Sequence, residues 1–386
     1  MKNDIYERSL SLHKEKGGAI QIVGTMPLQN EDDLALAYTP GVAAPCLAIS
    51  QDKEKAYEYT IKGKTIAVIT NGTAVLGLGD IGAIAGLPVV EGKALLHKSF
   101  GNVDAIPLCI ESTDPDEIVN IIKNITSSFG GIHLEDIKAP ECFYIERKLM
   151  EELDIPVYHD DQHGTAIAVL AGLYNALKLV NKTIQDIKIV INGAGASGIA
   201  TARLLISAGA QNIVLCDING AIVEGDNTLN KEQQKIAKAT NRKLETGTLA
   251  DIIRGADVFI GVSVGNILTK EMVETMNKEG IVFALANPIP EIMPDEAKLG
   301  GARIIATGRS DFSNQINNVL VFPGIFKGAL TARKKKFNDE MKIAVAKGLA
   351  NIINESDLKE DYIIPGVFNS SICDAVANAV ICSADD

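Results

Sequence analysis

Ile187-Lys188-Ile189-Val190-Ile191-Asn192-Gly193-Ala194-Gly195-Ala196-Ser197-Gly198 is the stretch on which the reading of this chain turns. Its first five residues are short, apolar and β-branched, the signature of a buried strand. They run into a GxGxxG turn, and a helix-like stretch follows from Ile199 to Ala208. A second apolar strand, Ile213-Val214-Leu215-Cys216, then ends on Asp217. Each part has a physical task. Gly193 permits the tight turn, Gly195 lets backbone approach a pyrophosphate, and Gly198 lets helix and strand pack closely. The helix N-terminus, from Ala194 through Ser197, faces the phosphate charge. Asp217 stands where a carboxylate accepts hydrogen bonds from an adenosine ribose. The pattern predicts a dinucleotide-binding unit.

A second match, Gly77-Leu78-Gly79-Asp80-Ile81-Gly82, tests that logic. Asn71-Gly72-Thr73-Ala74 separates it from the preceding strand-like run Ile66–Thr70. No strand tipped by an acid follows at the proper distance, and Pro88 interrupts the run behind it. It reads as a glycine-rich loop near a site rather than as a nucleotide fingerprint.

Working outward, strand-like runs at 64–70 and 103–110 and a helical period over Asp116–Ser127 occupy the first part of the chain. A long helix is expected over Ala166–Val180. Beyond Asp217, strand candidates at 257–261, 281–285 and 303–307 alternate with helical stretches, which predicts a doubly wound parallel sheet. The expected architecture is α/β: a smaller N-terminal domain over 1–160 and a C-terminal Rossmann domain with C-terminal helices over 161–386. The cleft between them is the expected active site.

The chain has 386 residues, 46% of them hydrophobic, with 34 glycines and a formal charge of −12. That balance argues against a nucleic-acid partner, which needs clustered Lys and Arg. Arg333-Lys334-Lys335-Lys336 is too short to change this. The N-terminus lacks an apolar signal-like run, and no apolar stretch reads as long enough to span a bilayer. Six cysteines, at 46, 109, 142, 216, 373 and 382, show no CxxC spacing. Reduced thiols and a cytoplasmic location are expected.

Several residues bear chemistry. Glu135-Asp136 and Asp160-Asp161 flank apolar runs in loop-like contexts. Three converging carboxylates suit a hard divalent ion such as Mg²⁺ or Mn²⁺. Spacing alone favours merely solvated loop acids. His159 and His163 lack a third nitrogen or sulfur ligand at zinc spacing and read as structural. Lys93 is a lone lysine in an apolar stretch, where desolvation lowers a pKa and makes a base, although a snorkelling lysine is the commoner case. Tyr38 precedes a turn signal and by itself reads as a packed aromatic. Asn287 follows a predicted strand, where Rossmann sheets present ligands. Asn317-Asn318 opens an apolar run and equally suits a helix cap.

Nine segments, in order, resemble the short bacterial malic enzymes over nearly the whole chain. They are AYTPGVA (37–43), NGTAVLGLGDIG (71–82), EGKALLHKSF (91–100), LEDI (134–137), HDDQHGTA (159–166), NGAGASGIA (192–200), ALANPIPE (284–291), ATGRSDFSNQINNVLVFPG (306–324) and IPGVFN (364–369). The resemblance implies oxidative decarboxylation of (S)-malate to pyruvate with reduction of NAD, NADP remaining possible. It implies Tyr38 as proton donor, Lys93 as general base and Asp160 as the acid that tunes it. Glu135, Asp136 and Asp161 are the implied metal ligands, and Asn287, Asn317 and Asn318 line the substrate and nicotinamide site. Residues Gly193–Gly198 and Asp217 hold the dinucleotide, and a homodimer is implied.

Two points are open on the sequence alone. The larger eukaryotic members carry a malate-binding arginine where this chain has Ala74. Family members also keep the acid matching Asp217 and still use NADP, with a lysine arriving from farther along; Lys231 and Lys235 are the candidates. Malolactic conversion to lactate and a non-catalytic dinucleotide-binding scaffold are the rival readings. The first is disfavoured because malolactic enzymes resemble the longer branch, the second by the intact Tyr38, Lys93 and acids.

Overall fold

The computed structural model describes residues 2–75 and 77–384. Two parallel sheets follow one another along the chain. The first is built from β1 (Thr65–Thr70), β2 (Asp104–Cys109), β3 (Ile132–Leu134) and β4 (Val157–His159), in the order β2-β1-β3-β4. Every neighbouring pair is parallel. Parallel neighbours need crossovers, and the helices Ala83–Gly101, Pro115–Ile125 and Glu141–Glu152 supply them. All six residues of β1 are buried, as expected of a strand covered on both faces. The order reverses at β1, so a crevice opens beyond the C-terminal ends of β1 and β3.

The second sheet comprises β5 (Lys188–Asn192), β6 (Asn212–Asp217), β7 (Gly220–Ala221), β8 (Val258–Gly261), β9 (Gly280–Ala284) and β10 (Ala302–Thr307), in the order β10-β9-β8-β5-β6-β7. It is doubly wound as expected, with one difference. The short edge strand β7 runs antiparallel to β6, pairing Asp217 with Gly220 and Cys216 with Ala221. Gly220, at φ +110, allows the chain to fold straight back after Asp217. A Cβ there would lie 2.2 Å from the Gly247 carbonyl oxygen.

Two local expectations need correction. Pro88 does not interrupt its run but lies inside the continuous helix Ala83–Gly101. A proline there removes only the bond to the Ile84 carbonyl, and Ile84 is solvent-exposed, so water can satisfy that group. The long helix begins at Asp160 rather than Ala166. Its first turn therefore contains Asp160 and Asp161, favourably placed at the positive end of the helix dipole, rather than in a loop.

This helix, Asp160–Val180, is the spine of the molecule. One hydrophobic cluster runs through its Ile167, Leu170 and Leu173 and joins Ile66 and Ile132 of the first sheet to Ile191 and Phe283 of the second. The helix is long and apolar enough to cross a bilayer, a length that the sequence reading did not assign to any run. Burial of 72% of its apolar window inside the protein accounts for that composition. The helices Phe322–Ala332 and Ser371–Cys382 pack on each other, and the former also packs on Ala83–Gly101. By contrast, the N-terminal helices Glu31–Ala37 and Ala43–Gln51 bury no residue. Ile22, Val23, Met26, Leu36 and Leu47 around them stand in solvent.

Candidate active site

The chemistry-bearing residues gather where β1, β3 and β4 end. Glu135 and Asp136 follow β3, and Asp160 and Asp161 follow β4. Carboxylate oxygens of Glu135, Asp136 and Asp161 lie within 4.8 Å of one another. Asp136 has a left-handed backbone, φ +53, a conformation tolerated by Asp at a cost of about 1 kcal/mol. That turn lets the Asp136 N–H donate to Asp161 Oδ2 at 2.9 Å. The cluster is also tied to the glycine-rich loop: Ala74 N–H donates to the Asp136 carbonyl at 3.0 Å, and Lys138 N–H to Thr73 Oγ1 at 3.0 Å. Beyond it, a Cβ on Gly77 would meet Pro288 Cδ at 3.2 Å. The loop therefore borders the site.

Lys93 reaches the cluster from the helix Ala83–Gly101. Its ammonium bonds Asp160 Oδ2 and lies 3.0 Å from Glu135 Oε1. It also sits 4.7 Å from the centroid of the Phe322 ring. Burial opposes the ammonium charge, but Asp160 and Glu135 overcome it and hold Lys93 above the ordinary lysine range. Desolvation thus does not lower its pKa as the sequence alone suggested; the paired carboxylates decide the sign. Burial pushes Glu135 and Asp136 upward, and the neighbouring carboxylates add to it.

Oxygen or nitrogen atoms of His133, Glu135 and Asp160 also converge. Lys93 already bridges Glu135 and Asp160, and His133 Nε2 holds Glu135 Oε2 at 2.8 Å. That second grouping is an ion-paired network rather than a cation site. His163 donates to Glu146 at 2.9 Å, and the same carboxylate accepts the His159 N–H. His163 thus takes part in internal bonding. His159 is fully buried, its ring nitrogens lacking a hydrogen-bond partner.

The dinucleotide turn faces this cluster. Gly193, at φ +119, leads from β5 into the helix Ala196–Ser207. A Cβ on Gly198 would lie 1.7 Å from the Gly193 carbonyl oxygen, so only glycine permits this approach. Ala194 and Gly195 form the turn, and nothing lies within 4 Å of a Cβ built on Gly195. Ser197 Oγ donates to the Asp161 carbonyl at 2.8 Å. A cavity of about 140 Å³ lies between, lined by Asp161, Thr165, Ser197, Asn287, Asn317 and Asn318 among others. Asn317 also accepts from Val319 N–H and caps the short helix Asn318–Leu320, as the cap reading expected, while lining the cavity. Asp217 ends β6 and accepts the Asn219 N–H at 2.7 Å.

Tyr38 is not brought into this cluster. It is 67% exposed at the end of the helix Glu31–Ala37. The sequence reading also passed over His97 and His133. His97 stands four residues after Lys93 on one helix, and His133 two residues before Glu135; both spacings share a face with a residue already singled out. The larger cavity, about 570 Å³ beside β10, is a different matter. Its Arg303 is paired with Glu279 and Glu360.

A family model described as the malic enzyme N-terminal domain matches residues 17–150, and one described as the malic enzyme NAD-binding domain matches 162–384. The chain belongs to the malic enzyme family. It is 53% identical to the bifunctional malic/malolactic enzyme of Bacillus subtilis strain 168, covering 97% of this chain and 92% of the relative. It is equally identical to the NAD-dependent malic enzyme of Geobacillus stearothermophilus, over 98% of this chain and 78% of that one. The crystal structure of the NAD-dependent malic enzyme of Thermotoga maritima superposes with a TM-score of 0.94 at 44% identity, covering 97% and 99% of the two chains. Malic enzymes are oxidoreductases, and this α/β architecture is theirs. The NAD-binding match contains the whole second sheet and the turn Gly193–Gly198.

Proposed function

We propose that this malic enzyme catalyses the divalent-cation-dependent oxidative decarboxylation of (S)-malate to pyruvate and carbon dioxide, with NAD as hydride acceptor. The observation that carries it is the bond from Ser197 to the Asp161 carbonyl, which sets the nucleotide turn against the carboxylate cluster. The donor set fits a hard dication. Three carboxylates lie within 4.8 Å, in a site where burial and mutual repulsion oppose the charge of Glu135 and Asp136 and the ammonium of Lys93 offsets it in part. Glu135, Asp136 and Asp161 would hold Mg²⁺ or Mn²⁺, which supplies Lewis-acid polarisation of the substrate oxygens.

The chain's own residues do the rest. Lys93 first passes its ammonium proton to the Asp160 carboxylate it bonds, and then, as base, takes the proton of the C2 hydroxyl while hydride leaves C2 for the nicotinamide. Asp160, fully buried against the lysine, fixes its direction. The C3–C4 bond then breaks, carbon dioxide leaves, and the electron pair enters the enolate. Tyr38 donates the proton to C3. Asn287, Asn317 and Asn318 orient substrate and nicotinamide from the far wall of the cavity. Ala74 itself offers the substrate carboxylate no side-chain donor, and its N–H is bonded to the Asp136 carbonyl.

Because Tyr38 stands exposed on a segment with no buried residue, we infer a homodimer in which a second copy covers that segment. The chain then divides near residue 160, with the cleft between the two sheets as the active site. Six free cysteines support a reducing, cytoplasmic setting, and the charge of −12 gives nucleic acid no purchase.

The test is a spectrophotometric assay with L-malate, Mn²⁺ and each nicotinamide cofactor in turn. Reduced cofactor and pyruvate accumulating together are expected; no turnover with either cofactor would overturn the reading. A second reading has one observation behind it. The Bacillus subtilis relative carries the malolactic activity in its name and is nearly coextensive with this chain, so chain length does not separate the two reactions. Lactate formed without net reduced cofactor would mark it.

A further inference from the structure

Behind Glu135 lie two histidines to which the reaction gives no task. His97 and His133 are both fully buried. His97 Nε2 is 3.0 Å from His133 Nδ1, and His133 Nε2 is 2.8 Å from Glu135 Oε2. Phe322 and Phe326 flank both rings at centroid distances of 4.7 to 5.8 Å, and Tyr158 closes the side of His133. This aromatic cage keeps water away.

The unpartnered nitrogen fixes the protons: His97 Nδ1, buried with no acceptor against it, carries no hydrogen, so His97 Nε2 carries one. Facing a carboxylate oxygen, His133 Nε2 must carry hydrogen. Its Nδ1 is then the bare acceptor of the His97 N–H. The chain of donors ends on one oxygen of Glu135 and leaves the other, Oε1, toward Lys93 at 3.0 Å. An imidazole serving only as packing would need no such alignment.

We propose that His97 and His133 are positioning residues forming a fixed-tautomer relay, which holds Glu135 Oε2 from behind and turns Oε1 toward Lys93 and the divalent ion. The inference rests on the reading of Glu135 as an ion ligand. The relay acts before any substrate binds, so its effect is on cation affinity. His133→Phe keeps an aromatic ring in the cage and removes the donor. Outer donors of this kind carry about 10- to 100-fold in metal affinity. His97→Phe touches neither Glu135 nor the ion. It removes the N–H that holds His133 Nδ1 and so lets the His133 ring turn away from Glu135.

The experiment is titration of Mn²⁺ by electron paramagnetic resonance without malate, on the native enzyme and five variants. His133→Phe is expected to weaken binding about 10- to 100-fold and His97→Phe about tenfold, while His133→Gln and His97→Gln, which restore an N–H donor, recover most of it. NADH binding by fluorescence shows that each variant is folded. Asp136→Asn separates the two readings. If it loses Mn²⁺ and His133→Phe binds within about twofold of native, the relay is wrong. If Asp136→Asn also binds as native, the ion-site reading fails instead. Nitrogen-15 NMR of the histidine-labelled Mg²⁺ enzyme, with only five histidines to assign, then decides the relay. Nε2–H on both rings is expected, and Nδ1–H on His133 overturns it.

Discussion

Ser197 Oγ donates a 2.8 Å hydrogen bond to the backbone carbonyl of Asp161. One residue belongs to the dinucleotide turn, the other to the carboxylate cluster at the start of the central helix. In the proposed reaction the bond fixes the distance between the turn that would hold the cofactor's pyrophosphate and the cluster that would hold the substrate oxygen. Hydride transfer is steeply sensitive to such a distance. Ser197→Ala should therefore act on both halves of the reaction. It should lower kcat about tenfold and raise the KM for both malate and cofactor, since a hydrogen bond contributes about 1 kcal/mol to the alignment. Steady-state kinetics with each substrate varied checks this. A change confined to the cofactor KM would show that the bond has no part in alignment.

In the proposed mechanism Lys93 and Tyr38 serve different steps, and they lie in different surroundings. Lys93, its side chain 12% exposed, lies among carboxylates, whereas Tyr38 is 67% exposed. Lys93→Ala should block malate oxidation and also ketone reduction. Tyr38→Phe should lose pyruvate formation and retain more ketone reduction, because the hydroxyl is needed only to protonate C3. Mixing the two inactive variants tests where Tyr38 acts. If it enters the partner's site, each mixed dimer regains one intact site, and statistical mixing restores about a quarter of native turnover. Dissociation, mixing and reassociation with no recovery would place Tyr38 within its own subunit.

The β5–turn–helix–β6 unit was legible because each of its parts has a local signature, and Asp217 falls at the end of β6 as read. The acid cluster was legible only through resemblance. Glu135-Asp136 and Asp160-Asp161 are 24 residues or more apart in sequence, and the parallel pairing of β3 with β4 brings them together. No local period reports such a pairing. The same cause hid His97, whose partner His133 arrives from the neighbouring strand side of the sheet. The sign of the Lys93 shift was missed because desolvation follows from an apolar stretch, while its two carboxylate partners come from β3 and the central helix. Pro88 was misjudged because a proline's effect depends on whether the carbonyl it deprives faces water, and sequence does not show that.

The carboxylate cluster should make cation binding depend on pH. In the folded chain Glu135 and Asp136 are held above their ordinary values, by burial first and by neighbouring acids next. They keep protons that the unfolded chain releases at about pH 4. The stability from these groups is present at low pH and is lost as pH rises through their raised values. A dication must displace the same protons, so its affinity should rise with pH, about tenfold per unit while one proton is released. The increase in Tm caused by Mg²⁺ should be larger at about pH 8.5 than at about pH 6. Taking the difference with and without Mg²⁺ cancels His133, whose depressed pKa costs stability on the acid side in both states. An increase independent of pH would place the ion elsewhere.

Cofactor choice turns on charge around Asp217. Its carboxylate is at the end of β6, where it suits a ribose 2′-hydroxyl and repels a 2′-phosphate. Of the two lysines that could offset it, Lys235 is already bound to Glu232 at 2.6 Å, and Arg203 takes the other oxygen at 2.7 Å. Burial alone would raise Glu232, but these two cations hold it down at about 2, so it stays ionised and keeps Lys235 neutralised. Lys231, exposed at the start of the same helix, is the remaining cation. NAD should therefore be preferred over NADP by at least about tenfold in kcat/KM. Asp217→Ser should narrow that ratio by removing the repulsion, and Glu232→Gln should narrow it further by releasing Lys235. Measuring kcat/KM for both cofactors at saturating malate, in the native enzyme and both variants, decides it. A native preference for NADP would mean that Lys231 outweighs Asp217.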